Sequence, residues 1–205
     1  MPALTMNRRH FLKNGIWIAG TPFLFLPRPL RAQVAPPQQA ILKSVAYQQA
    51  QASAPAATAF LTSVTGGTPR SNFTGDVGMW FTTGSQAMTV TELGTWVISG
   101  NSATHTILLR SVSGCSLLGS VSISTSGAPT GWKYATLGSP IALSASTNYD
   151  IFYTATSGGD QWLDQDCTVA TTAAATCNGT SLGSCSNSNI GLHCYAAPNF
   201  KYTIP

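Results

Sequence analysis

Asp160, Trp162, Asp164 and Asp166 fall at every second position of one short run. Residues two apart on a strand point the same way, so an extended backbone here predicts one face bearing an indole and three carboxylates. Such a face is a candidate ligand-binding surface for a sugar: the ring stacks on the apolar side of a pyranose while the acids take its hydroxyls. Calcium is the second use, because aspartate oxygens with backbone carbonyls make a hard-cation site, and Asp160, Asp164 and Asp166 are the metal candidates. The spacing is not that of an EF-hand loop. The same residues admit a structural arrangement, with Trp162 in the core and the acids in a turn after Gly158-Gly159, a common home for aspartate. Glycoside hydrolysis by Asp160 and Asp164 is a third reading. On one strand those two lie roughly 13 Å apart, and Asp164 and Asp166 roughly 7 Å. Only the shorter separation suits an inverting pair, and adjacent acids on one face repel each other or share a cation. The expectation is a binding surface without catalytic residues, with calcium as its one optional cofactor.

Five cysteines are the next reactive set, and Cys167, Cys177, Cys185 and Cys194 lie in one segment at spacings of ten, eight and nine. Those gaps are wider than the pairs that build zinc sites, so disulfides are the better use in an oxidising compartment. Three pairings are open. The Ala- and Ser-rich loops between them favour Cys167–Cys177 and Cys185–Cys194, each worth about 2–3 kcal/mol in the chain-entropy account. Cys115 is left over, as a free thiol or a link between two chains. His193 beside Cys194 resembles a Cys–His pair, but a cysteine held in a disulfide is no nucleophile. His105 has no carboxylate close in sequence and alternates with Ile107, which reads as a hydrogen-bonded structural histidine. Trp80, Trp96 and Trp132 fall in strand patterns, where core packing is the usual use. Neither a Gly-x-Ser-x-Gly elbow nor a phosphate loop is present.

The elements that must hold these residues are strands. From Phe60 onward the chain consists of short runs rich in β-branched and aromatic residues, cut by Gly, Ser, Asn or Pro, with no sustained helical period. Strands are predicted at about 59–65, 78–83, 88–98, 104–112, 120–125, 133–143, 149–156, 161–170 and 200–204. Turn signals stand at Gly66-Gly67, Gly100-Asn101, Ser113-Gly114, Gly127 to Gly131 and Gly158-Gly159. His105, Ile107 and Leu109 share one strand face, and Thr104, Thr106, Leu108 and Arg110 the other. Eight or nine short strands make an all-β protein, a single antiparallel β-sandwich of jelly-roll type.

A series of short motifs carries a resemblance. Phe73-Thr74-Gly75, Val77-Gly78-Met79, Val90-Thr91-Glu92-Leu93-Gly94, Gly100-Asn101-Ser102 before Thr104-His105-Thr106, Lys133-Tyr134-Ala135, Gly158-Gly159-Asp160-Gln161-Trp162 and Asn199-Phe200-Lys201-Tyr202 together resemble a secreted bacterial jelly-roll module, similar to carbohydrate-binding modules. The resemblance runs from Phe60 to Tyr202 and implies a sandwich that binds polysaccharide or cell-surface glycan. The cysteine-rich stretch from Cys167 to Cys194 departs from it.

Arg8 and Arg9, in Asn7-Arg8-Arg9-His10-Phe11-Leu12-Lys13 ahead of the apolar Gly15 to Leu26, form the pattern of a twin-arginine export signal. The apolar stretch is shorter than the ~20 residues of a membrane span. The expected organisation is a signal peptide over 1–32, a linker or short helix over 33–58, and a sandwich over 59–205. Five of the ten basic residues leave with the signal and all six acidic ones stay, so the net charge of +4 becomes −1. The basic balance is therefore no argument for nucleic acid as a partner. The mature chain is expected in the periplasm or outside the cell, with no membrane span, a glycan or cell-surface polymer as partner, and self-association as an alternative. That alternative is an extracellular structural or adhesive subunit.

Overall fold

The computed structural model describes residues 55–183, 185–188 and 193–205. The predicted export signal with Arg8 and Arg9, and the predicted linker up to residue 54, lie outside the described residues. The strands in chain order are β1 (Thr58–Ala59), β2 (Leu61–Gly66), β3 (Pro69–Arg70), β4 (Gly75–Thr83), β5 (Met88–Val97), β6 (Thr104–Ser111) and β7 (Leu117–Ser124). They continue with β8 (Gly131–Leu143), β9 (Asn148–Ala155), β10 (Trp162–Leu163), β11 (Cys167–Thr171), β12 (Ala175–Leu182), β13 (Ser186–Ser188) and β14 (Asn199–Thr203). No α-helix occurs among the described residues, and none is long and apolar enough to cross a membrane.

Two sheets make the body. One runs β1-β14-β5-β8 and the other β13-β12-β4-β9-β6-β7, and two short ribbons, β10-β3 and β11-β2, sit beside them. Every pairing in them is antiparallel. The chain crosses from one sheet to the other at β4–β5, β5–β6, β7–β8 and β8–β9, the interleaving of a jelly-roll-like sandwich.

Strand alternation builds the core. Val77, Met79 and Phe81 on β4, Ile107 and Leu109 on β6, and Tyr149, Ile151 and Tyr153 on β9 are buried facing the other sheet. That sheet answers with Met88, Val90 and Leu93 from β5 and Phe200 and Tyr202 from β14. Phe200 stacks on Phe60 at 4.7 Å between centroids and meets Phe81 at 5.0 Å. An irregularity between Val90 and Glu92 resets the alternation, so that Met88, Val90, Leu93 and Val97 all point inward despite their mixed parity.

Three sequence expectations change. The predicted strand over 161–170 is two, β10 and β11, separated by Asp164 to Asp166, and Asp166 adopts a left-handed φ of 58°. Strands β12 and β13 were not anticipated. Ala175-Thr176-Cys177-Asn178-Gly179-Thr180-Ser181 offers small and polar residues, and a shift of register between Cys177 and Gly179 hides its period. The disulfides are also different: Cys115 joins Cys185 and Cys167 joins Cys194, at Cα separations of 5.8 and 5.6 Å, and Cys177 is free. Sequence proximity misled here because strand pairing, not loop length, decides which cysteines meet. Cys177 pairs in register with Phe81 of β4, and its sulfur lies 3.8 Å from Met79 Sδ, so no other cysteine reaches it.

Burial pushes the Cys177 thiol above its ordinary value, opposed by a hydrogen bond at Gly179. A raised thiol is a poor nucleophile at neutral pH. Iodoacetamide is therefore expected to leave the native protein unlabelled at pH 8 and to label one cysteine once it is denatured without reductant; rapid labelling of the native form would contradict the packing described.

Candidate functional site

Asp160 follows the Gly158-Gly159 turn, where Gly158 takes a φ of 75° that suits glycine. Its carboxylate does not face outward. It accepts from Ser102 N at 2.9 Å, Ala103 N at 2.9 Å and Thr125 Oγ1 at 2.6 Å, and lies 2.9 Å from His105 Nε2. Burial alone would raise this carboxyl, but the hydrogen bonds from Thr125, His105, Ser102 and Ala103 outweigh it and hold it at about 2. Tyr153 Oη is 2.8 Å from the same imidazole nitrogen, and His105 Nδ1 is 3.0 Å from Thr154 O. Asn101 and Gln161 complete the junction with reciprocal bonds of 2.8 and 3.1 Å. This cluster ties three loops at one end of the sandwich. His105 is the structural histidine expected, but its carboxylate partner comes from 55 residues away.

The junction delivers the chain to β10, which pairs with β3 so that Trp162 lies opposite Arg70. Trp162 is 2% exposed, which corrects the expected sugar-stacking plate: the indole is a floor, not a surface. The Arg70 guanidinium sits 5.1 Å above the ring, a cation–π contact. Its Nη1 donates to Asp164 Oδ2, and its Nε donates to Asn72 Oδ1 at 2.7 Å. The Asp164 side chain is fully buried, and its second oxygen is 2.6 Å from His193 Nδ1. Backbone bonds from Asp164 N to Thr68 O and from Thr68 N to Gln165 O hold β3 and the Asp164–Asp166 segment together. Thr68, Arg70, Asn72, Asp164 and Gln165 line a cleft of about 330 Å³, at the small end of ligand pockets.

Cys194 N donates to Asp164 O, and the Cys167–Cys194 disulfide anchors the segment after it. Tyr195, Ala196 and Ala197 then take left-handed φ values of 35°, 70° and 40° in succession. Non-glycine residues avoid that region at a cost of about 1–3 kcal/mol each, and such strain gathers at functional sites. The turn is fixed from both sides by Ala196 N to Leu163 O at 2.9 Å and Ala197 N to Cys194 O at 2.8 Å. The Tyr195 ring meets Trp162 edge-on at 5.9 Å and His193 at 5.6 Å. Burial, and then the Asp164 charge, raise the Tyr195 phenol, with Arg70 opposing, so it stays a hydrogen-bond donor at neutral pH. Trp132 contacts the same turn through Nε1 to Ala197 O at 3.3 Å. It is half-buried, packs edge-on against Trp96 at 4.9 Å, and lines a second cleft of about 310 Å³ with the Ser126–Gly131 loop and Lys133.

The four predicted ligand residues therefore separate. Asp160 belongs to the loop junction, Trp162 to the core, Asp164 to the cleft, and Asp166 is exposed with its carbonyl bonded to Gly67 N. Asp160 and Asp164 share no partner, and the expected metal set Asp160, Asp164, Asp166 is not assembled: no three metal-ligating side chains converge among the described residues. One strand face could not form because the backbone turns at Asp166. The sequence reading missed Arg70, Asn72 and His193 as members of the site. The signal lay in scarcity, since Arg70 and Arg110 are the only arginines after Arg31, and a buried carboxylate requires such a partner.

A jelly-roll-like sandwich with a small polar cleft beside a strained turn is thus the class that the structure defines. The chain matches a domain of unknown function, DUF4082, over residues 66–189. That span is more than half of the chain, and the protein belongs to this family. The matched span contains Arg70, Asn72, Asp164 and Gln165 and stops short of His193 and Tyr195. No curated protein matches the chain.

Proposed function

We propose that this protein is a non-catalytic glycan-binding module, exported by the twin-arginine route to the periplasm or the cell exterior. The observation that carries the reading is the Arg70–Asn72–Asp164–Gln165 cleft, in which planar polar groups are held rigid by a buried carboxylate and an indole floor. Sugar hydroxyls are recognised by such fixed groups, because little side-chain freedom is lost on binding. The half-buried Trp132 on the other side of the Cys194–Pro198 turn supplies an aromatic surface for a longer chain. Export is supported by the arginine pair at Arg8 and Arg9 and is compatible with two disulfides.

On this reading the buried carboxylates position their neighbours and do no acid–base work. Both oxygens of Asp164 are engaged, by Arg70 and His193, and Asp160 is engaged by four neighbours. Calcium is not required by it, because the three aspartates do not converge.

Affinity electrophoresis through gels carrying soluble polysaccharides tests the reading. At least one polymer is expected to retard the protein, with or without EDTA. Asn72→Ala and Gln165→Ala, both at exposed positions, are each expected to weaken that retention about three- to tenfold, the value of one lost hydrogen bond, without changing the melting temperature. Retention lost in EDTA would return calcium to the site, and retention unchanged in both variants would move the site elsewhere.

A self-assembling structural subunit is the second reading. Leu117 and Leu118 are 57% and 38% exposed on β7, the edge of the six-stranded sheet. Successive strand residues point to opposite faces, so covering both takes an edge partner. A protein that sediments as a polymer and is retained by no polysaccharide would favour it.

A further inference from the structure

We infer that the cleft selects an acidic glycan and that Arg70 and Asn72 receive the carboxylate of a uronic acid residue. The inference rests on the glycan-binding reading above and adds the chemical class of its ligand. It follows from an account of which hydrogen-bonding positions in the cleft are already taken.

Asp164 is the cleft's one carboxylate, and both of its oxygens are occupied, by Arg70 Nη1 and His193 Nδ1. Asn72 Oδ1 accepts from Arg70 Nε, and only the amide oxygen can do so, which turns the Asn72 NH₂ away from that bond. Among the described residues nothing accepts from Arg70 Nη2 or from Asn72 Nδ2. The open positions on this wall are therefore N–H donors, one of them on a permanent cation. A neutral sugar hydroxyl can use one such donor, whereas a carboxylate uses two or more at once with charge assistance.

Burial sets the direction of approach. The Asp164 side chain is 0% exposed and that of Arg70 is 36% exposed, so the guanidinium stands between the buried carboxylate and solvent. The negative charge behind it is matched by Arg70 and bonded to His193, and no other acid lines the cleft. Beside them Thr68 and Gln165 both donate and accept, which suits ring hydroxyls. A uronic acid carries both kinds of group on one ring.

Asn72→Asp is the informative substitution. It keeps the oxygen that accepts from Arg70 Nε, replaces the NH₂ donor with a second acceptor, and adds a negative charge at an exposed position. Wild-type protein is expected to be retarded by polygalacturonate and not by its fully methyl-esterified form or by dextran. Asn72→Asp should lose at least about tenfold in that retention, the scale of a charge-assisted bond, and Asn72→Ala less. Circular dichroism and the melting temperature, unchanged in both, establish that the variants fold. Equal retention by the esterified polymer, or no difference between the Asp and Ala variants, overturns the acidic preference while leaving glycan binding intact. Retention by polyglutamate as strong as by polygalacturonate overturns it in favour of carboxylate recognition without a sugar. Retention by no polysaccharide, acidic or neutral, overturns the glycan reading itself.

Discussion

Replacing Cys115 and Cys185 together by serine is expected to cost about 4 kcal/mol of folding stability, the largest effect of any pair substitution away from the core. The bridge closes 70 residues, and a loop of that length removes about 4 kcal/mol of unfolded-state entropy in the chain-entropy account. The folded side has its own reason. Gly183 O accepts from Arg110 Nη1 at 2.6 Å, and Arg110 also bonds Asp76 Oδ2 at 3.0 Å and lies 5.2 Å over the Phe152 ring. Arg110, Phe152 and Asp150 stand on the outer face of the six-stranded sheet, away from the main core, yet Phe152 and Asp150 are fully buried. Gly183, two residues before Cys185, thus ties the end of β12 to this buried group through Arg110. Thermal unfolding should fall by about 10 °C or more, given roughly 2–4 °C per kcal/mol for a domain of this size. A shift under about 3 °C would mean that the bridge constrains little. Glycan retention at low temperature should persist, because this face is not part of the Arg70 cleft.

Asp160→Asn is expected to be nearly as costly, and its effect should depend on pH. The carboxylate satisfies two backbone amides, a threonine hydroxyl and an imidazole at once, and removing one partner from a buried charged cluster costs about 3–5 kcal/mol. The folded carboxyl at about 2 lies below its unfolded value of 3.8, and a depressed carboxylate contributes stability that is present above the unfolded value and is lost as pH falls through the folded one. The wild type should therefore give up about 2 kcal/mol between about pH 4 and pH 2 through this group. Urea unfolding of both proteins at pH 7, 4 and 2.5 measures the difference, which should be largest at pH 7 and shrink toward pH 2. A difference that stays constant across this range would show that the Asp160 charge is not what stabilises the junction.

These effects also explain how far the sequence could be read. The sandwich was legible because most strands obey alternation locally: His105, Ile107 and Leu109 are buried together, as their spacing predicts. Strand β12 was not, because Cys177, Asn178 and Gly179 interrupt its pattern and its burial comes from β4. The residues of the cleft were legible only in part. The spacing points to Asp164, but the shared face with Asp160 and Asp166 that it predicts fails at the turn that Asp166 makes. Its real partners lie 94 residues away at Arg70 and 29 away at His193. Strand pairing between β3 and β10 creates those contacts, and two-residue strands leave no periodic trace. The same holds for His105 and Asp160, which a turn and a loop bring together.

Recognition of an acidic glycan by the Arg70 cleft is tested most directly by a ¹⁵N-resolved titration of the protein with oligogalacturonate. The account predicts saturable shifts confined to Thr68 to Asn72, Asp164, Gln165 and His193 to Tyr195, including the Arg70 Nε and Asn72 side-chain N–H signals. Saturable shifts centred on other residues, or none at millimolar ligand, would contradict it.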